Sequence, residues 1–169
     1  SELYRLAQSK KFKSFVAIVS AIKARTKVNM GQLETLIKLD YFSDFGNPNQ
    51  LLEQVKIMET YNDRTDLFKS DIDEIIPHDL MAKMCEKETE KKYCTIKNRA
   101  VIDYLISKTV DIRTPITDKI RYESECLGYV HITVPNLKPT YIYVLDIDGK
   151  FSNKTISAYV LKTGQQRRL

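Results

Sequence analysis

Seven residues, Ser43-Asp44-Phe45-Gly46-Asn47-Pro48-Asn49, interrupt two runs of helical periodicity and constrain this chain more than any other stretch. Upstream, Leu33, Leu36, Ile37 and Tyr41 recur at three- and four-residue spacing, which predicts an amphipathic helix with all four on its buried face. Asn29 and Gln32 have the spacing of a capping box at its start. Downstream, Leu51, Leu52, Val55 and Met58 resume the period, and Pro48 presets the first turn of that helix. The intervening Gly, Asn, Asp and Pro favour a turn over continued helix. The sequence thus predicts a helical hairpin over residues 33–52.

The same reading extends along the chain. Phe12, Phe15, Val16, Val19 and Ile22 predict a helix ending near Arg25–Lys27. Residues 62–80 turn polar and acidic and read as irregular, with Pro77 stopping any helix, and 81–92 reads as a charged helix. A further helix is expected over 95–109 with Ile96, Ala100, Val101, Tyr104 and Leu105 inward. Thr114-Pro115 signals the start of another and Gly128 its end. After Pro139 the character changes. Tyr141-Ile142-Tyr143-Val144-Leu145-Asp146-Ile147 and Thr155-Ile156-Ser157-Ala158-Tyr159-Val160 predict two strands joined at Asp148-Gly149. The expected division is 1–62, 63–94, 95–134 and 135–169.

Charge is distributed unevenly. Residues 1–30 carry seven basic side chains against one acid, 31–90 carry six against fourteen, and 91–169 carry fourteen against seven. Two separate basic surfaces are therefore available to a polyanion. Three cysteines without a Cys-x-x-Cys pair suit a reducing cytoplasm, and with only His78 and His131 beside them no metal site is expected. No stretch is apolar enough to span a bilayer, and no signal peptide is expected.

The residues suggest four chemical constellations. At the hairpin, the amides that open the second helix and the lysines around it form a candidate phosphate site, although an ordinary packed helix pair accounts for the same pattern. The DNA-contact candidates are Lys11, Lys13, Lys38, Gly46, Asn47, Asn49 and Gln50. Leu67 and Phe68 are a short apolar pair suited to anchoring in a partner pocket or to packing. Asp146-Ile147-Asp148 invites comparison with paired metal-binding aspartates, but a turn beside Gly149 explains both carboxylates. Finally, Lys150, Lys154, Lys162, Arg167 and Arg168, near Tyr141, Tyr143 and Phe151, have the cation–aromatic mixture of a single-strand contact. No catalytic residue set is evident.

Leu36-Ile37-Lys38-Leu39-Asp40-Tyr41-Phe42-Ser43-Asp44-Phe45-Gly46, followed by Leu51-Leu52, resembles the helix-hairpin-helix segment of bacterial C-family replicative DNA polymerases, the DNA polymerase III alpha subunits. Phe12-Lys13-Ser14-Phe15 and Val28-Asn29 resemble the stretch leading into it. Glu123-Ser124-Glu125-Cys126-Leu127-Gly128-Tyr129 is similar to the segment before that family's OB domain, and the strands of 141–161 fit its opening. The family usually carries an arginine shortly after the turn glycine, where this chain has Asn49. Arg64-Thr65-Asp66-Leu67-Phe68 resembles a peptide that docks into the sliding clamp in some relatives, with Arg64 in place of its glutamine.

The resemblance implies a mainly α chain with a helix-hairpin-helix region, followed by a short β segment that begins a truncated OB fold. It implies non-specific binding of the duplex DNA backbone, or alternatively an adaptor segment that contacts the clamp through Leu67 and Phe68. The parent would be a DNA-directed DNA polymerase, a nucleotidyltransferase whose Mg²⁺ lies in a palm domain absent here. This segment is expected to need no cofactor, to contact other parts of the polymerase and to avoid membranes.

Overall fold

In the computed structural model, the residues described are 12–88, 92–149 and 154–169. Among them the chain mixes helices with two small antiparallel sheets of three strands each. Helix α1 (Phe15–Arg25) is followed by α2 (Met30–Lys38), α3 (Pro48–Tyr61), β1 (Asp66–Phe68), α4 (Lys69–Ile75) and α5 (Met81–Met84). Then come β2 (Cys85–Glu88), β3 (Tyr93–Ile96), α6 (Asn98–Ser107), α7 (Ile116–Leu127), β4 (Ile142–Asp148), β5 (Thr155–Val160) and β6 (Gln165–Arg168). No described helix is long and apolar enough to cross a membrane.

Two compact units interleave along the sequence. One joins the described residues up to Lys27 with Asn49–Ile112; the other joins Val28–Pro48 with Arg113–Leu169. Neither is a continuous stretch, so this division differs from the linear one expected. The helices flanking the turn fall in different units, with the boundary after Pro48.

In the first unit, Ser14 caps α1 by accepting a bond from the Ala17 amide, and Phe15, Val16, Ile18, Val19 and Ile22 are buried. The second core gathers Leu67, Ile72, Ile76, Met84, Cys94, Ile96 and Val101. Its sheet has the order β1-β3-β2, pairing Leu67 with Cys94 and Phe68 with Tyr93. The expectation of irregular chain over 62–80 is corrected to strand, helix and a short 3-10 turn at His78–Leu80. The charged helix expected over 81–92 shortens to one turn before β2. Ile96 likewise belongs to a strand instead of the start of a helix. These strands are three or four residues long, and β1 finds its partner far along the chain, so no local pattern declares them. The Asn98 side-chain amide donates to the carbonyls of Tyr61, Asn62 and Arg64, satisfying acceptors that follow α3. Gln54, buried on α3, donates to the Thr109 hydroxyl at 3.0 Å.

In the second unit, α2 packs on α7. The capping box is present: the Gln32 amide donates to Asn29 Oδ1 at 2.9 Å, and the Asn29 amide donates to Gln32 Oε1 at 3.1 Å. Helix α7 ends at Gly128, whose φ of 76° is the left-handed conformation expected of that glycine. Strands β4, β5 and β6 form a meander in sequence order, with a bulge between Val144 and Asp146. The third strand was not expected. Gln165, Gln166, Arg167 and Arg168 are all exposed and lack apolar alternation, so only their hydrogen bonding to β5 reveals them. Ile120, Val130 and Tyr159 form the core, flanked by Ile132, Tyr143, Leu145 and Leu161. The buried Glu123 carboxylate accepts from the amides of His131 and Ile132, and its Oε1 lies 3.0 Å from His131 Nδ1. The Tyr159 hydroxyl donates to the Ile132 carbonyl at 2.8 Å. Together these contacts fix the extended segment after α7 between that helix and β5.

Candidate nucleic-acid interface

The turn between α2 and α3 is built from backbone bonds and one unusual residue. The Asp40 amide donates to the Ile37 carbonyl and the Tyr41 amide to the Leu36 carbonyl, both at 3.0 Å. This pair of bonds is the Schellman pattern, which places its left-handed residue just past the helix end. Here that residue is Asp40, with φ 62°, a conformation that Asp and Asn tolerate better than other side chains. Its carboxylate is held by Lys119 at 2.7 Å. Gly46 lies near fully extended backbone, at φ 157°, so the sharp reversal is made six residues earlier than the glycine suggested.

The early reversal corrects one expectation of the helical period. Tyr41 lies beyond the end of α2 and is 60% exposed, while its neighbour Phe42 is buried. The chain has left helical geometry before Tyr41 reaches the apolar face. Further bonds from Ser43 to the Asp40 carbonyl and from Phe45 to the Phe42 carbonyl continue the turn to Gly46.

Asn47 and Pro48 then open α3, and their arrangement recurs at α7. The side chain of Asn47, before Pro48, accepts a 2.7 Å bond from the hydroxyl of Thr114, which precedes Pro115. The Thr114 hydroxyl, which the sequence placed at the start of α7, thus reaches the turn. Helix α7 begins at Ile116, with Pro115 as the residue before it. The bond brings the exposed Arg113, one residue before Thr114, into the neighbourhood of the turn. Arg113 was missed from sequence because it lies 64 or more residues from the turn and no local motif includes it; the shared pattern of a polar residue before proline was the available signal.

The remaining candidates fall in several places. Lys38, at the end of α2, lies 3.8 Å from Glu125 and 5.5 Å from the centre of the Tyr122 ring. Arg121 covers the same ring and pairs with Asp118 at 3.0 Å. Gly46 and Asn47 share the second unit with Lys38, whereas Asn49 and Gln50 belong to the first. Lys13 is exposed just before the Ser14 cap of α1, in the first unit. Lys11 and Lys150 lie outside the described residues, as does Phe151. Lys154, Lys162, Arg167 and Arg168 are exposed on or beside the β5–β6 hairpin.

Leu67 and Phe68 part company. They are consecutive in a strand, so their side chains take opposite faces. Leu67 is 3% exposed in the core, while Phe68 is 45% exposed and rests on Tyr93. The two do not form a joint apolar anchor in this conformation.

No protein-family model matches the chain, and no curated protein or solved structure is detectably similar to it.

Proposed function

We propose that this chain is a non-catalytic segment of a C-family replicative DNA polymerase, and that it holds the backbone of duplex DNA without reading its sequence. The observation that carries the reading is the turn at Gly46 and Asn47, tied through Thr114 to the exposed Arg113. The Arg113 guanidinium, in the same unit as Gly46 and Asn47, supplies a charge suited to phosphate oxygens. Arg113 thus stands in for the arginine that the resembled family carries after the glycine. The opening residues of α3, Asn49 and Gln50, follow directly along the chain.

Backbone contacts of this kind position a duplex and carry no base information. The sheet of β4, β5 and β6 is read here as the start of an OB fold, which extends the resemblance into the second half of the chain. Polymerisation itself, with its Mg²⁺, belongs on this reading to other parts of the parent enzyme.

Arg113→Gln tests the assignment. Duplex affinity measured by fluorescence anisotropy should fall, and the slope of log affinity against log salt should flatten by about 0.9. Lys38→Gln should change both less, because Lys38 already faces Glu125. An Arg113 variant with native affinity and slope would remove this site.

A further inference from the structure

We infer that Phe68 and Tyr93 form a stacking platform for an unpaired nucleobase on the first unit's sheet, separate from the duplex contact at the turn. The rings sit directly across from each other on β1 and β3, with centroids 4.5 Å apart and planes inclined at 34°. Both point away from the core, because the alternating partners Leu67 and Cys94 occupy the buried face. Phe68 is 45% and Tyr93 46% exposed, so a large area of aromatic surface meets solvent at one spot. Two neighbouring aromatics on the open face of an antiparallel sheet are the arrangement on which single-strand-binding sheets stack successive bases.

Charge at the end of the ladder selects the occupant. The Lys69 amide donates to the Lys92 carbonyl at 2.9 Å, so Lys69, after Phe68, and Lys92, before Tyr93, lie at the same end of the antiparallel pair. A nucleotide whose base covers the rings would carry its phosphate toward these cations. Asp66 lies on the same face at the opposite end of β1, where its carboxylate accepts from the hydroxyls of Thr65 and Thr95. The ladder is therefore polar along its length, with hydroxyl-held acid at one end and aromatics with lysines at the other. That polarity fits a single-stranded oligonucleotide better than a neutral apolar peptide. The proposal does not depend on the Gly46–Asn47 turn, and each can fail alone.

The test compares short oligothymidylate with an abasic oligonucleotide of equal length, using the full chain and anisotropy. Phe68→Leu and Tyr93→Leu keep apolar, strand-compatible side chains, and circular dichroism checks that each variant folds. Each should weaken oligothymidylate binding by about tenfold. Neither should alter abasic binding, which lacks the base to stack. Phe68→Tyr and Tyr93→Phe should retain native affinity, and Lys92→Gln should reduce the salt slope by about 0.7. Equal affinity of the native chain for the two oligonucleotides would overturn the platform, as would folded leucine variants that bind oligothymidylate normally. Loss of affinity for a protein partner with unchanged oligothymidylate binding would assign the rings to protein contact instead. Arg113→Gln should leave oligothymidylate binding intact even if it abolishes duplex binding.

Discussion

The two three-stranded sheets differ in what makes them sheets. In the second unit, β4 and β5 are long runs rich in aromatic and β-branched residues, and they pair as neighbours in sequence. In the first, β1 has three residues and pairs with β3 from the far side of α4 and α5. The local preference of side chains is enough for β4 and β5; the other sheet exists because burying Leu67, Cys94 and Ile96 together satisfies a core. Propensity therefore fails most where pairing is distant and strands are short.

That contrast can be broken at its most buried points. Tyr159→Ala should have the largest effect, about 4 kcal/mol lost in a urea titration, because it empties the second unit's core and strands the Ile132 carbonyl. In the first unit's sheet, Leu67→Ala should cost about 3 kcal/mol, while Phe68→Ala should cost about 1 or less. Equal losses at these consecutive positions would mean that β1 does not alternate between core and solvent. A smaller change, about 1 kcal/mol, is expected for Asn29→Ala, which removes one half of a capping box that local sequence declared correctly.

The smallest effect is expected in alkali. Burial raises the ionisation of both Tyr122 and Tyr159 above the ordinary value of 10.0, with Asp118 adding to the first and Glu123 to the second. Their folded forms thus hold the proton more tightly than the unfolded chain. This contribution to stability is complete below pH 10.0 and is lost as pH rises through the folded values. Ultraviolet titration should show late-ionising tyrosines in the native chain that Tyr159→Phe and Tyr122→Phe each reduce.

Much of the helical framework was legible. The capping box at Asn29, Pro48 at the start of α3, and Gly128 at the end of α7 follow from chemistry confined to a few residues. The turn itself was legible only in part. Asp40 takes the left-handed position that a glycine ordinarily marks, and so Phe42 is buried where the period selected Tyr41. Leu67 and Phe68 looked like one apolar pair because their separation depends on a strand that only β3 can stabilise. Arg113 could not be read as part of the turn, since the Asn47–Thr114 bond that brings it there joins residues far apart in sequence.

The central claim is contact with the DNA backbone, and the salt dependence of duplex binding tests it most directly. Two duplexes of equal length and unrelated sequence should bind the chain with the same weak affinity. Both affinities should fall along a common negative slope as salt rises. Binding that is indifferent to salt, or that separates the two sequences, would contradict it.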